Sequence, residues 1–466
     1  MTLPSMKNEN VITVGKGSGS FGIAKYNSVG LKLWNTFVIS TLANQYSAPL
    51  ITPRAVTTDA SGNIYVTGFF SGKKFDFNPS PSDSAFLSSL DTIKTINNTG
   101  LGDAFLAKYA PDGSYLWAFS IGSVTRTEEG GYVQVDMQGN VIITGMFGGS
   151  NVDFDPSPTS SYLLSSQGAI EPFVAKYTSG GAFISAIHFS ATLTPNNISL
   201  GNLQPANVSR RLAIDNLGNV YVGGYFTGLI DLDPGAGNNS YNSHTREAMY
   251  LVKLSTSLQY SWGFAIAADT GTCLLRGLGV DAARNVYVTG NLDLVPSQGV
   301  DFDPGSGVHK VSSGGIFMAK YDAGGNYVFA QSVGPNNPED VSDMAVNSDG
   351  DFTIVGSMDN YLDIDPGPGT FLITSHGGTD ILVACYSGSG MLQNGFTIGA
   401  VGSDVATAIA SYTPSVYRGS QYHDPIYICG SHYSDVDFDP TYANCILPYN
   451  SGYVAKYSDL KWVNTI

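Results

Sequence analysis

The chain has 466 residues, of which 42% are hydrophobic and only 13% are charged, about half the usual charged share. This composition excludes disordered tails, which combine low hydrophobicity with high charge, and coiled coils, which need a large share of Ala, Glu, Lys, Leu and Arg. The net charge of −16 disfavours nucleic-acid binding, because 22 basic residues would have to collect phosphate contacts within a repulsive field. No stretch approaches the length of apolar residues that a transmembrane helix needs, so no membrane span is predicted.

Two short phrases alternate along the chain and define seven units. Copies of the first, GNVYVTG, end at Gly68, Gly145, Gly224, Gly290, Gly356 and Gly430, with a degenerate copy ending at Gly15. Copies of the second, FVAKY, end at Tyr26, Tyr109, Tyr177, Leu254, Tyr321, Tyr386 and Tyr457. Long repeats with β-branched, alternating segments are typical of a propeller and not of an α-solenoid.

Each unit predicts four antiparallel strands. The first is the apolar run before a turn, such as Arg54 to Thr58, and the second and third are the two recurring phrases. The fourth follows a polar turn, as at Ser114 to Gly122. Four tryptophans, all placed in fourth strands, are interpreted as packing residues between units: Trp34, Trp117, Trp262 and Trp462.

The order and spacing of these phrases resemble the bacterial seven-bladed β-propeller repeat (SBBP-type) family, whose blades carry an AVAVD..GNVYVTG...FVAKYD..G..WA pattern. The resemblance covers residues 8 to 466 and implies an all-β, seven-bladed β-propeller with four-stranded antiparallel blades, forming one domain over residues 1–466. It also implies a secreted or surface-exposed protein, located outside the cell or on its surface, although this chain carries no apolar signal segment.

The first unit, about residues 8–40, departs from the pattern because it lacks a clear innermost strand and is expected to be incomplete. Three ways of closing the ring stay open. Met1 to Lys7 supplies the missing strand, the first blade has three strands, or sequence beyond this chain completes it.

A further phrase, Asp-x-Asp-Pro, is inserted between the second and third predicted strands of six units. Its polar positions are Asp76, Asn78, Asp153, Asp155, Asp231, Asp233, Asp301, Asp303, Asp363, Asp365, Asp437 and Asp439. These eleven aspartates account for most of the acidic excess. Alternate residues of an extended strand share one face, so each pair is expected on one side while the intervening Phe, Leu or Ile points into the blade.

Three interpretations of these pairs stay open. A Ca²⁺ ion, the one cofactor we expect, would neutralise the paired carboxylates, since it prefers oxygen ligands. Its shell would be completed by main-chain carbonyls of the turn after the proline or by acids ahead of the third strands, such as Asp103, Glu171, Glu247 and Asp380. The second interpretation is that the aspartates only cap turns by accepting backbone N–H bonds. The third is pairing with the lysines of the third strands, Lys25, Lys108, Lys176, Lys253, Lys320 and Lys456.

No linear catalytic motif is present, because the sequence lacks HExxH, GxSxG and a P-loop ending, and we therefore expect no catalytic residues. Inner-strand arginines at equivalent places in three units are candidates for binding a carboxylate or sulfate ligand in the central channel: Arg54, Arg210 and Arg276. The four cysteines lack metal-site spacing, and a disulfide between Cys429 and Cys445 stays open.

The favoured function is a non-enzymatic, monomeric scaffold that binds a protein or glycan partner through long loops, chiefly Ser80 to Gly102 and Thr192 to Asn207. One alternative is a lyase- or hydrolase-type enzyme that uses the central channel. The other is a structural component of a larger bacterial or phage assembly. Neither nucleic acid nor a membrane is expected as a partner.

Overall fold

All regular structure in the described part of the chain is β-strand. This computed structural model describes residues 2–7, 10–17, 19–40, 50–78, 80, 82–90, 102–124, 126–167, 170–192, 208–244, 246–269, 271–294, 299–334, 340–411, 425–439, 445–448, 451–458 and 461–465. Within these ranges no helix is long and apolar enough to cross a bilayer.

The first three units contain the strands β1 to β17. In the first unit these are β1 (Thr2–Lys7), β2 (Asn10–Gly17), β3 (Ser20–Tyr26) and β4 (Lys32–Ser40). In the second they are β5 (Leu50–Thr58), β6 (Ile64–Ser71), β7 (Phe75–Asp76), β8 (Phe86–Leu87), β9 (Asp103–Tyr109) and β10 (Tyr115–Ile121). In the third they are β11 (Glu129–Val135), β12 (Val141–Phe147), β13 (Val152–Asp153), β14 (Leu163–Leu164), β15 (Glu171–Tyr177), β16 (Phe183–His188) and β17 (Ala191–Thr192).

The remaining four units contain β18 to β41. The fourth has β18 (Val208–Ile214), β19 (Val220–Phe226), β20 (Leu229–Asp231), β21 (Ser240–Asn242), β22 (Ala248–Leu254) and β23 (Tyr260–Ile266). The fifth has β24 (Gly271–Val280), β25 (Val286–Leu294), β26 (Val300–Asp301), β27 (Lys310–Val311), β28 (Gly315–Tyr321) and β29 (Tyr327–Val333). The sixth has β30 (Asp340–Val346), β31 (Phe352–Met358), β32 (Tyr361–Asp363), β33 (Leu372–Thr374), β34 (Asp380–Tyr386) and β35 (Leu392–Ile398). The seventh has β36 (Val405–Ser411), β37 (Ile426–His432), β38 (Val436–Asp437), β39 (Ile446–Leu447), β40 (Ser451–Ser458) and β41 (Lys461–Thr465).

Every unit forms a four-stranded antiparallel sheet in which the long strands pair in chain order, as in β11-β12-β15-β16. The short strands between the second and third long strands pair with each other, as β13 does with β14. Repeated four-stranded antiparallel sheets are the arrangement found in a propeller.

The first unit is complete, and the expectation that it begins at about residue 8 without an innermost strand is wrong. β1 pairs with β2 and contacts β5 and β36, the innermost strands of the second and last units. Of the three ways of closing the ring, the one in which the first seven residues supply the missing strand agrees with β1, which spans Thr2–Lys7. The sequence TLPSMK hid it because Pro4 has no N–H to donate to a ladder and no alternating apolar pattern is present.

The glycine that ends each GNVYVTG phrase permits a close approach to a β-bulge on the innermost strand. In β11 the bulge falls between Gly130 and Tyr132, opposite Gly145. A Cβ atom on Gly145 would overlap the carbonyl oxygen of Glu129. Equivalent overlaps would occur at Gly68, Gly290, Gly356 and Gly430. The repeated glycine therefore has a steric cause.

An aspartate organises the turn between the first two strands of a unit. Asp136 Oδ1 accepts N–H bonds from Gln138 at 3.0 Å and Asn140 at 2.8 Å, and its Oδ2 accepts one from the Asn140 amide. Gly139 lies in the same turn with φ of 82°, a left-handed conformation that favours glycine. The same aspartate bonds recur at Asp59, Asp215 and Asp281.

Neighbouring sheets are joined by a turn carbonyl that accepts two donors from the preceding unit. The Ser179 carbonyl accepts the Lys108 ammonium at 2.7 Å and the Trp117 indole N–H at 3.3 Å. The same arrangement occurs at two further junctions, where Lys25 and Trp34 donate to Pro111, and Lys253 and Trp262 donate to Ala323. The interpretation of Trp34, Trp117 and Trp262 as packing residues between units is confirmed, whereas the Trp462 side chain lies outside the described residues.

The hydrophobic core is divided among clusters that lie between sheets. One cluster packs Phe21 of the first unit against Phe105 of the second, and further clusters join the consecutive units that follow. A last cluster packs Val11 of the first unit against Tyr427 and Val454 of the seventh. Burying a large apolar side chain contributes about 1.5–3 kcal/mol, so these contacts stabilise each sheet against both neighbours.

The four cysteines are free thiols, and the disulfide left open between Cys429 and Cys445 is not formed. Cys429 is fully buried between the first and last units, where burial raises the pKa of its thiol to about 11. A neutral thiol at this place acts as a small apolar packing residue.

We predict that Gly145→Ala lowers the free energy of unfolding by about 1–3 kcal/mol, because the added methyl group forces the bulge to shift. Gly180→Ala is the matched control, since its added methyl would meet only Thr178 Oγ1, at 3.7 Å, and we expect a change within about 0.5 kcal/mol. Urea unfolding followed by tryptophan fluorescence measures both. Equal losses in the two variants would contradict the steric account.

Candidate functional site

The Asp-x-Asp-Pro phrases form six short hairpins that occupy the same place in six units. Each hairpin connects the second long strand to the third. Two of the hairpins also pair with a strand of the preceding unit, β7 with β4 and β20 with β17. These two hairpins are therefore attached to two sheets at once.

Backbone N–H groups cap both aspartates of a hairpin. Asp153 Oδ1 accepts N–H bonds from Asp155 at 3.0 Å and Tyr162 at 2.9 Å, and Asp155 Oδ1 accepts one from Ser157 at 2.9 Å. The bonds of the first aspartate recur at Asp76, Asp231, Asp301, Asp363 and Asp437. Asn78 accepts the same bond from Ser80 at 3.0 Å, so turn capping needs the oxygen and not the charge.

The residue between the two aspartates fastens the hairpin to its own unit. Phe154 is fully buried, as the alternation of the strand predicts, and its carbonyl accepts the buried Tyr177 hydroxyl at 2.9 Å. The same bond is made by Tyr109, Tyr321, Tyr386 and Tyr457. A buried carbonyl that receives such a donor holds the loop in one position.

The interpretation that the third-strand lysines pair with these aspartates is wrong for the lysines whose bonds the structure records. Lys176 lies beside Tyr177, and because Tyr177 reaches the hairpin, Lys176 points to the opposite face of the sheet. It donates to the Thr256 carbonyl in the next unit at 2.8 Å and pairs with Asp136 at 2.9 Å. Lys25, Lys108, Lys253 and Lys320 likewise donate to turn carbonyls, and Lys456 lies over the Tyr427 ring.

The acids expected to complete a calcium shell contact nearby loops. Glu171 accepts the N–H of Gln167 at 2.8 Å and pairs with His188 at 2.6 Å, while Asp380 accepts the N–H of His376 at 2.7 Å. Among the described residues, no three His, Cys, Asp or Glu side chains cluster as metal ligands. Any ion at a hairpin would therefore draw its further ligands from hydroxyls, main-chain carbonyls or water.

The three candidate arginines are the bulge residues of their innermost strands, each at a register shift opposite the unit's glycine. Arg54 pairs with Glu129 at 2.5 Å, and Arg276 lies 3.9 Å from Asp340. Arg210 donates from Nε to the Tyr225 hydroxyl at 3.2 Å. Bulges redirect side chains out of the regular alternation, which explains why these three project alike.

Innermost strands of six units line one cavity of about 310 Å³. Its lining includes Val56, Tyr132, Ala213, Leu278, Met344 and Ile409. Arg54, Arg210 and Arg276 are not among the described residues that line it. The structure thus brings the six strands together around this cavity, and the three arginines are not part of its recorded lining.

A groove of about 550 Å³ lies between the fourth strand of the second unit and the hairpin of the third. Trp117 and Phe119 form one wall as stacked rings 5.5 Å apart, while Asp155 and Ser160 form part of the other. The Ser160 hydroxyl donates to Asp155 at 2.6 Å. Flat apolar faces opposite hydrogen-bonding groups are typical of ligand sites.

A buried acid that the sequence did not reveal lies at the junction of the second and third units. Glu128 has no exposed surface, and its carboxylate accepts bonds from the Ser123 amide and hydroxyl, both at 2.9 Å. Burial, with added repulsion from Asp103, raises the pKa of Glu128 to about 8. Its neighbours come together only through the fold, so no spacing pattern signals it.

No family model matches the chain. An uncharacterized WD repeat-containing protein of Acanthamoeba polyphaga mimivirus is 29% identical over 201 residues, covering 40% of this chain and 13% of that protein, so the chain spans a small part of this relative. A solved structure of a PL25 ulvan lyase, a polysaccharide lyase bound to -[GlcA(1-4)Rha3S]-, is also similar. The match covers 91% of this chain and 88% of the lyase chain, with 11% identity and a TM-score of 0.43. The repeated four-stranded antiparallel sheets support a β-propeller repeat protein.

We predict that the free energy of unfolding falls as pH rises from about 4.5 to about 8, because the unfolded chain releases the Glu128 proton while the folded chain keeps it. Glu128→Gln removes this contribution and flattens the profile measured by urea unfolding across that window. The exposed-site control Asp83→Asn keeps the parent profile. A Glu128→Gln profile as steep as the parent's would contradict the raised pKa.

Proposed function

We propose that the chain is a non-enzymatic scaffold in which the seven repeated sheets are blades of one closed, monomeric ring. The Asp-x-Asp-Pro hairpins and loops between the second and third strands of each blade bind a protein or glycan partner outside the cell or on its surface. This proposal follows the resemblance to the bacterial seven-bladed repeat family. The contacts of the first unit with the last, through Val11 and Tyr427, support closure.

The groove at Trp117 and Phe119 is the observation that carries the binding proposal. It combines aromatic faces with the Asp155 carboxylate and Ser160 hydroxyl. Stacking on the rings and hydrogen bonding at the polar wall suit a sugar ring or an extended peptide with a polar edge. The wall formed by the hairpin is preorganised, since Tyr177 and the backbone caps hold it, and preorganisation lowers the entropic cost of binding.

The loops chosen from the sequence as further contact regions are Ser80 to Gly102 and Thr192 to Asn207. Residues 91–101 and 193–207 within them lie outside the described residues, so their part in binding stays a prediction. Loops of different length on a rigid framework are the usual place for recognition.

We predict that Phe119→Leu abolishes most glycan or peptide binding on an array of immobilised glycans and peptides, because leucine keeps apolar packing but removes the flat face. The matched control is Leu116→Ala, at an apolar residue of the same strand that is 46% exposed and does not line the groove. It should bind as the parent does. Binding unchanged in Phe119→Leu would contradict the groove. Shortening of a bound glycan with time would contradict the non-enzymatic proposal and favour an enzyme.

We also propose that the hairpin carboxylates bind Ca²⁺, since every first aspartate uses only Oδ1 in the caps recorded at Asp153 and its equivalents. In each pair, the other oxygen of the first aspartate, Oδ2, is the atom available to a hard cation.

For this we predict that Ca²⁺ added to an EDTA-treated sample releases heat and raises the melting temperature, because the ion binds the folded state alone. The double variant Asp301→Asn with Asp303→Asn keeps the capping oxygens, as Asn78 does, and should lower the calorimetric stoichiometry by one site. Absence of heat together with an unchanged melting temperature would leave the hairpins as capped turns.

A further inference from the structure

Among the residues described, two of the three bulge arginines lie next to a carboxylate from the following unit, and the third, Arg210, does not. Arg54 pairs with Glu129, and Arg276 lies near Asp340; both acids stand two residues before the bulge of the next innermost strand. The equivalent position facing Arg210 is Leu274. Arg210 therefore has no carboxylate from that position, and within the described part of the chain it forms no ion pair.

Arg210 and Arg276 converge on one aromatic ring. The guanidinium carbon of each lies 5.8 Å from the centre of the Tyr225 ring, which is only 8% exposed. Among the described residues, the one carboxylate recorded within ion-pair distance of either guanidinium group is Asp340, which is 3.9 Å from Arg276 and has a side chain that is 58% exposed, so water screens it. Two half-buried cations thus contact the same ring with little compensating charge, in a chain whose net charge is −16.

We propose that Arg210 and Arg276, which both lie against the Tyr225 ring, bind an oxyanion group, a carboxylate or a sulfate, of a small ligand. Guanidinium groups present parallel N–H donors that match such oxygens. The Tyr225 hydroxyl accepts the Arg210 bond, which leaves its own proton to donate to the anion. A small ligand is favoured over a polyanion, because the acidic chain repels extended negative charge.

This site goes beyond the proposed function, since its arginines belong to innermost strands, Tyr225 belongs to the second strand β19, and none of the three lines the groove at Trp117. Loss of anion binding at the arginines therefore leaves partner binding at the Trp117 groove testable, and the reverse also holds. Arg54 is excluded from the site because Glu129, itself 8% exposed, neutralises it at 2.5 Å.

The test is isothermal titration of the full chain with sodium sulfate and, separately, sodium acetate, at constant ionic strength set with chloride. We expect saturable binding of at least one probe, and the probe that binds identifies sulfate or carboxylate as the preferred group. Arg210→Gln and Arg276→Gln should each weaken it about tenfold, the effect of losing a charge-assisted hydrogen bond.

Arg54→Gln is the matched control, an arginine at the same bulge, and should leave the affinity within about twofold. Arg210→Lys keeps the charge but loses the planar guanidinium group, so it should also weaken binding. Thermal melting of every variant separates a loss of binding from a folding defect. Absence of saturable binding of both probes would overturn the proposal. Equal weakening by Arg54→Gln and Arg210→Gln in folded proteins would overturn it too.

Discussion

The rigidity of the molecule depends on a carbonyl oxygen at the junction between sheets. At Ser179 this oxygen accepts both the Lys108 ammonium and the Trp117 indole from the preceding unit. Lys108 lies 4.9 Å from the centre of the Tyr65 ring, and Tyr65 in turn donates to Asp59 at 3.1 Å. Burial lowers the pKa of Lys108, yet the aspartate and the carbonyl favour its charged form. One turn, one ring and one cation thus connect two sheets.

The hairpins are held by this framework but do not form the lysine and tryptophan bonds that join neighbouring sheets. Their middle residues, such as Phe154, are buried between units. Their aspartates instead accept bonds from backbone N–H groups of the same hairpin. Because the Tyr177 hydroxyl holds the Phe154 carbonyl, the sequence of the rest of the hairpin loop can vary without disturbing the core. The same division explains why a groove forms beside Trp117, a residue whose main role is to join sheets.

Much of the fold follows from the sequence, because repeated phrases set strand and turn together. The phrase ending at Gly145 matches β12, and the expected burial of the residue between paired aspartates is confirmed at Phe154. What the sequence missed are bonds from side chains to the backbone of another unit. The charge of Lys176 allows pairing with the hairpin aspartates as one of three interpretations, whereas strand alternation turns the side chain toward Thr256.

The candidate site was predictable only in part for a related reason. The spacing of Asp153 and Asp155 indicates a shared face but cannot tell capping from ion binding, since both roles use carboxylate oxygens. The arginines were recognised from their equivalent positions. Their unequal partners, Glu129 for Arg54 and Tyr225 for Arg210, depend on the neighbouring unit and appear only in the fold.

The most direct test of the central claim is hydrogen exchange, resolved by strand, on Trp117→Phe. Phenylalanine retains an aromatic ring but loses the N–H that reaches Ser179. If the carbonyl joins the two sheets, amides of β9 and β10 and amides of β15 and β16 will all exchange faster, because the sheets open together. Faster exchange confined to β9 and β10 would contradict the account, since the junction would then stabilise only the sheet that carries the tryptophan.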